Sequence, residues 1–258
     1  MLSRIYHQRA HEKKEKEIYA AKIDFFTNVA HEIRTPLTLI KGPVENITER
    51  IADFPAIRED VYTLERNTDR LISLVSGLLD FRKTETKGFS LDFVKINLTE
   101  ILEVIFLDFR LLANKRNLQY ELAMEDRTCI VYADEEALYK IVSNLLSNAV
   151  KYAGSKVHVS LTKDKSNNQV AVRIVSDGHK IPDDIRDKIF EPFFRIKETN
   201  KHKGTGIGLA LARSLAELHN GQLYLKPGEI ENNIFIFEMP LDHSISQVKN
   251  AGLSGQLS

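Results

Sequence analysis

Residues 28–42 read NVAHEIRTPLTLIKG, and around them Phe26, Val29, Ile33, Leu37, Ile40, Val44, Ile47 and Ile51 recur at steps of three and four. Such a spacing is the seam of a helix that packs against other helices. At about 100° per residue, His31 lies roughly 200° from Val29, so its imidazole turns away from the seam, into water or toward a partner. The helix therefore presents a histidine beside Glu32, with Arg34, Thr35 and Pro36 close behind.

Working outward, residues 1–22 are polar and lean basic, and read as an exposed signalling or linker helix that runs into the seam. ADFP, residues 52–55, interrupts the pattern, because Pro55 holds Phe54 away from helix. Val61, Leu64, Leu71, Val75 and Leu78 then form a second stripe that ends near DFRKTETKG, residues 80–88. Two stripes joined by a short turn make an antiparallel hairpin, here residues 23–86. A lone hairpin leaves apolar surface uncovered, so pairing with a second copy as a four-helix bundle is expected.

After Gly88 the texture changes. FVKI and LQYELA read as strands around a helix with Asn97 as cap and Glu100 as its N3 partner. CIVY is a further strand, and a long helix runs from Asp134 to about Lys151. KVHVSLT and VAVRIVS alternate with period two across KDKSNN, a hairpin signal. A helix over about residues 206–219 and the strands GQLYL and NIFIFEMPL follow. Mixed strands and helices over residues 89–242 indicate a separate α/β sandwich, and the small, polar residues 243–258 read as a linker tail.

Composition narrows the function classes. The 258 residues are 43% hydrophobic and 28% charged, without tryptophan, as in a soluble globular protein. Thirty-six basic and 36 acidic side chains cancel, which leaves no global field to attract nucleic acid, and no such partner is expected. The single cysteine, Cys129, rules out an internal disulfide framework and fits a reducing compartment. No run reaches the length of a membrane span and no signal-peptide pattern opens the chain. Cys129 opens an apolar strand and is expected to be buried rather than catalytic. His7, His11, His158, His202, His219 and His243 are scattered singly and read as surface residues.

Two further motifs carry chemistry. In NLLSNAVKY, Asn144, Asn148 and Lys151 fall on one helical face. Two amides and an ammonium suit a metal–phosphate group, the amide oxygen for Mg²⁺ and the lysine for phosphate charge. A polar solvated helix face fits the same spacing. In GTGIGLAL, Gly204, Gly206 and Gly208 precede a strongly helical run. Glycines let backbone approach an anion, and free N–H groups at a helix start bind phosphate. The spacing matches neither the dinucleotide fingerprint nor the G-x-x-x-x-G-K-[ST] loop. Upstream, RIKETNKHK reads as a flap over a polyphosphate or as an ordinary solvated loop.

Together these residues resemble the bacterial sensor histidine kinases of two-component systems. AHEIRTPL is similar to their phosphoacceptor H-box, NLLSNAVKY to the N-box, FEPFF (residues 190–194) to the F-box and GTGIGL to the G2 box, in the family's order over residues 20–242. The wording also resembles kinase modules of Bacteroides-type hybrid sensors. The resemblance implies an all-α hairpin forming a dimeric four-helix bundle, followed by a Bergerat-type α/β sandwich that binds ATP and Mg²⁺. It implies that His31 accepts the γ-phosphoryl group, Glu32 acts as general base and Thr35 serves in dephosphorylating the partner. Arg34 reads as a surface ion pair, and Pro36 as a kink. Asn148 matches the Mg²⁺ ligand, Asn144 the other amide, Lys151 a phosphate contact and Tyr152 a ring over the adenine. Gly204, Thr205, Gly206, Gly208 and Leu209 match the triphosphate lid and helix start. Phe193 and Phe194 match lid anchors, although buried core aromatics explain them as well.

The implied partners are a second copy of the chain and a response-regulator receiver domain, in trans or on the same natural chain. The implied place is the cytoplasmic part of an inner-membrane sensor. One departure stands out. The family's G1 box reads D-x-G-x-G-[IL], and here residues 175–182 read VSDGHKIP. Without a gap Ser176 takes the place of the adenine-reading aspartate, and a small shift lets Asp177 serve, followed by Gly178. A hydroxyl accepts from the adenine amine with less charge assistance than a carboxylate does. The altered loop makes a catalytically weak or inactive dimeric scaffold the alternative reading.

Overall fold

Helix α1 covers residues 33–35 and 37–48, and helix α2 covers Arg58–Glu85. The computed structural model describes residues 33–35, 37–48, 57–85, 90–196, 206–227 and 232–241. The chain divides into two units, Met1–Lys87 and Gly88–Ser258. His31, Glu32, Pro36, Pro55, Gly204, Thr205 and the tail from residue 243 lie outside the described residues, as do His7, His11 and His202.

In the first unit α2 starts with Glu59 and Asp60 and ends with Arg82 and Lys83, charges that oppose its macrodipole. Arg34 Nη2 donates to Ser76 Oγ at 3.1 Å and Lys41 Nζ to Asp69 Oδ1 at 2.6 Å. As the number rises along α1 its partner's number falls along α2, so the pair is antiparallel. Arg34 therefore bonds a hydroxyl across the hairpin, where the sequence pointed to a surface ion pair. Leu37 and Val44 of α1 and Val61, Val75, Leu78, Leu79 and Phe81 of α2 are buried. Ile33, Ile40 and Ile47, and likewise Ile57, Leu64 and Leu71, are exposed at steps of seven. The expected seam is thus split into a covered half and an uncovered half.

Among the described residues the second unit holds a five-stranded sheet with three α-helices, plus a two-stranded ribbon. Strand β1 (Val94–Asn97) pairs antiparallel with β3 (Ile130–Ala133). The sheet order is β2-β4-β5-β7-β6, from β2 (Gln119–Met124), β4 (Lys156–Asp164), β5 (Gln169–Ser176), β6 (Gln222–Leu225) and β7 (Asn233–Pro240). Only β2 and β4 run parallel; the other neighbours are antiparallel. Helices α3 (Leu98–Lys115), α4 (Glu135–Tyr152) and α5 (Gly208–Leu218) pack side by side, α3 on α4 and α4 on α5. Period-two alternation places Val157, Val159, Val172, Ile174, Phe235 and Phe237 on one buried face of the sheet.

Helix α4 begins where the Asp134 side chain, in an extended conformation, accepts from the Ala137 N–H at 2.9 Å. Glu135 and Glu136 in its first turn and Lys151 in its last oppose the macrodipole. Helix α3 is capped differently from expectation. Asn97 holds the cap position without a side-chain cap bond. Its Nδ2 donates to Glu100 Oε1 at 2.8 Å, and its Oδ1 accepts the Cys129 N–H at 3.1 Å. The cap side chain joins the helix to the neighbouring strand instead. Cys129 itself is buried, as its sequence setting implies, and burial raises its thiol pKa.

His219 corrects the surface reading, being 0% exposed. Its Nε2 accepts from the Asp134 N–H at 3.1 Å, and its Nδ1 lies 2.7 Å from the Leu215 carbonyl oxygen. A carbonyl only accepts, so Nδ1 carries the proton and the ring is neutral. The ring meets Phe93 edge-on at 5.2 Å, and Asp134 Oδ2 accepts the Asp92 N–H. The histidine thereby joins the end of α5 to the start of α4. His219→Ala leaves the Asp134 N–H and a cavity, and is expected to cost about 3 kcal/mol. A denaturant melt of the second unit reads this directly; a loss below about 1 kcal/mol contradicts it.

Candidate functional site

Four segments make up the candidate site: α4, the residue just past α3, the loop after β5 and the start of α5. Asn144, Asn148 and Lys151 stand on one face of α4, and each is part-buried. Asn144 Nδ2 donates to the Lys140 carbonyl at 2.8 Å. Its Oδ1 faces the start of α5, since a Cβ placed on Gly208 would lie 2.5 Å from that oxygen. Lys151 Nζ lies 4.8 Å from the Tyr152 ring centroid, a cation–π contact at the helix end.

The last carbonyls of α4 are satisfied from a distant segment. Arg116, just past the end of α3, donates through Nη1 to the Val150 carbonyl and through Nη2 to the Ala153 carbonyl at 3.3 Å. A cation at a helix C-terminus closes orphan acceptors and opposes the dipole. Arg116 thus fixes the turn that carries Lys151 and Tyr152.

Against this end sits the loop after β5. Ser176 is 5% exposed and shares the buried face with Ile174. Asp177 turns the other way. Its carboxylate accepts from the N–H groups of Gly154, Ser155 and Lys156 and from the Ser155 hydroxyl. Burial alone would raise its pKa, but the bonds from the Lys156 N–H and from Ser155 outweigh that and hold it down at about 2. A carboxylate so engaged braces the α4–β4 connection. Gly178 follows, packed on the backbone of α4: a Cβ there would overlap the Tyr152 carbonyl oxygen and lie 2.7 Å from its carbon.

The fourth segment is the start of α5. Gly206 has φ +75, a conformation that favours glycine, and its carbonyl accepts the Phe193 N–H at 2.9 Å. Phe193 is itself in the left-handed region at φ 67 and is 37% exposed, while Phe194 is part-buried. Neither is a core aromatic; the neighbouring Phe190 is, packed edge-on to Phe235 at 6.2 Å with Arg213 over its ring. Ile207, at the cap position of α5, has no side-chain acceptor for the first-turn N–H groups. Leu209 follows, part-buried in that turn.

The structure therefore brings Asp177 and Gly178 against the end of α4 that carries Lys151 and Tyr152, and brings Gly208 against Asn144 two turns earlier on the same helix face as Asn148, with Gly206 and Leu209 flanking Gly208 in the chain. Thr35 stands exposed on α1 in the other unit. Arg116 and Asn233, which also hold this region, were not flagged by any motif. Among the described residues no three His, Cys, Asp or Glu side chains gather as a metal cluster. A divalent ion here would rest on an amide oxygen and on phosphate oxygens, a donor set that suits Mg²⁺.

A helical hairpin precedes an α/β sandwich in which two amides and a lysine share one face of α4. Residues 21–87 match the His Kinase A (phospho-acceptor) domain, and residues 133–243 match the histidine kinase-, DNA gyrase B- and HSP90-like ATPase. The chain belongs to the two-component sensor histidine kinases. It is 33% identical over 248 residues to histidine kinase P4 of Formosa agariphila, covering 93% of this chain and 18% of that protein. It is 31% identical over 242 residues to hybrid signal transduction histidine kinase D of Dictyostelium discoideum, covering 91% of this chain and 16% of that protein. The chain thus spans under a fifth of these relatives' length. A similar fold occurs in full-length ShkA in complex with AMPPNP, with a TM-score of 0.73 at 24% identity over 84% of this chain and 45% of that one.

Proposed function

We propose that this chain is an ATP-dependent protein-histidine kinase module that phosphorylates itself on His31 and passes the phosphoryl group to an aspartate of a response-regulator receiver domain. The observation that carries the proposal is the match of residues 21–87 to a phospho-acceptor domain, with His31 in AHEIRTPL, ahead of an ATPase domain in the same chain. A neutral imidazole is a competent nucleophile at cellular pH. An imidazole nitrogen of His31 attacks the γ-phosphorus, the bond to the β–γ bridging oxygen breaks, and ADP departs. Glu32 takes the ring proton. Thr35, exposed on α1, positions water for the reverse duty of dephosphorylating the regulator.

In the second unit Asn148 would hold Mg²⁺ through its amide oxygen, an ion that would supply charge neutralisation at the phosphates. Lys151 contacts phosphate, Tyr152 covers the adenine, and Gly204, Thr205, Gly206, Gly208 and Leu209 form the triphosphate lid and helix start. Asn144 sets the distance between α4 and α5. Ser176, on the buried face of β5, reads the base, while Asp177 shapes the loop beneath it. The functional boundaries are residues 1–22, 23–86, 89–242 and 243–258.

Two exposed heptad stripes, Ile33-Ile40-Ile47 and Ile57-Leu64-Leu71, support homodimerisation through a four-helix bundle. An ATP-using module with a receiver-domain partner fits the cytoplasmic part of a membrane-bound sensor, and that is the location proposed for it. No helix among the described residues is long and apolar enough to cross a membrane.

Incubation of the purified chain with γ-labelled ATP and Mg²⁺ tests the proposal. A protein-bound label that is lost in acid and kept in alkali supports it, because that pattern belongs to a phosphoramidate. A folded, dimeric chain that takes up no label overturns it in favour of a scaffold.

A further inference from the structure

Asn233 is the first residue of β7 and the register partner of Ser176, the last residue of β5. The loop of residues 177–182 therefore leaves the sheet directly opposite it. The Asn233 side chain is 4% exposed, and both ends of its amide are used on that loop. Oδ1 accepts the Ile181 N–H at 2.9 Å, and Nδ2 donates to the His179 carbonyl at 2.8 Å. Ile181 N–H only donates and the carbonyl only accepts, so the amide has one satisfied orientation. Alongside it, Lys180 Nζ donates to the Asn232 carbonyl at 3.3 Å.

The loop is gripped at two places. Its near half is held by Asp177 on the 154–156 backbone and by Gly178 against Tyr152. Its far half is held by Asn233. A short side chain that offers one donor and one acceptor is what two backbone groups two residues apart require. Aspartate lacks the donor, and alanine lacks both.

We propose that Asn233 is a positioning residue for the nucleotide: by fixing residues 179–181 it sets the height of Ser176 and Gly178 against the end of α4, and so the fit of the base. This rests on the reading that these segments bind ATP. It acts on ground-state fit and not on the phosphoryl transfer, so it separates KM from kcat.

The test compares wild type, Asn233→Ala and Asn233→Asp for Mg-ATP affinity by calorimetry, for autophosphorylation kinetics and for amide exchange. Asn233→Ala is expected to raise Kd and KM for ATP by about tenfold, with the rate at saturating ATP within about twofold of wild type. Asn233→Asp, which keeps the acceptor for Ile181, falls between the two. The Ile181 amide exchanges faster in Asn233→Ala while β5 and β7 amides do not. A folded Asn233→Ala chain with wild-type Kd and KM overturns the inference. So does a lower melting temperature with an unchanged KM, which marks a structural role only. If Asn233→Ala does not fold, Asn233→Asp decides by the same readouts. Wild type that binds no Mg-ATP overturns this inference together with the functional reading, whereas a wild-type chain that binds while the variants match it overturns this inference alone.

Discussion

The His31→Gln chain is expected to bind Mg-ATP as tightly as wild type and to carry no acid-labile label. Glutamine keeps a polar side chain of comparable reach on the helix, but its amide nitrogen is no nucleophile, because the lone pair is delocalised into the carbonyl. Removing the attacking atom abolishes a covalent step, whereas removing a helper slows it by about 10²–10⁴-fold. Nucleotide affinity stays, since the residues proposed to bind ATP belong to the other domain. Calorimetry with Mg-ATP and autoradiography after acid and alkali washes read the two halves separately. A label of wild-type strength in His31→Gln moves the acceptor elsewhere; lost ATP binding would mean that the histidine holds nucleotide as well.

The Gly178→Ala chain is expected to lose ATP binding by more than about tenfold and stability by about 1–3 kcal/mol. The added methyl would overlap the Tyr152 carbonyl oxygen. Neither neighbour has room to retreat. The Tyr152 backbone belongs to a turn whose carbonyls Arg116 holds, and the loop is tied to the 154–156 backbone through Asp177. Interiors packed at crystal density transmit such strain to the nearest soft element, here the base site. Gly154→Ala is the internal control, because a Cβ there lies 3.3 Å from the Asp177 carbonyl and asks for a shift of only a few tenths of an ångström. Equal affinity in Gly178→Ala and wild type would show that the base does not rest on this contact.

What was legible in the sequence was what is written locally. Helix α4 is legible as a long helical run from Asp134 to about Lys151, and the β4–β5 hairpin through alternation on both sides of KDKSNN. The stripes of α1 and α2 were legible as apolar, but not which half faces the partner helix in the same chain. Ile57, Leu64 and Leu71 follow the same seven-residue step as Ile33, Ile40 and Ile47, and that step was the available signal.

The rest depends on pairs far apart along the chain. His219, single and polar, reads as a surface residue in the sequence. Yet Leu211, Leu215 and His219 lie at steps of four, the same buried face of α5, and that spacing could have placed it inside. Asn97 and Glu100 stand at the spacing of a capping box, but the competing acceptor need came from Cys129 N–H, a strand away. The donors that reach Asp177 come from residues 154–156, more than twenty positions away, so no local motif shows them. Asn233 and Arg116 carry no motif at all, since an amide or a guanidinium beside backbone groups shows only once the sheet is assembled.

Strand β7 is the last described strand, yet it lies inside the sheet, between β5 and β6. A chain made from its N terminus releases α4, β4 and β5 from the ribosome well before β7. The β4–β5 hairpin closes early because its loop is short, whereas β5–β7 pairing must first gather the long stretch between them. Until then one edge of β5 is bare and loop 177–182 has no amide to hold it. The last described strand thus carries the amide that holds loop 177–182, and a chain cut short before Asn233 would lack it.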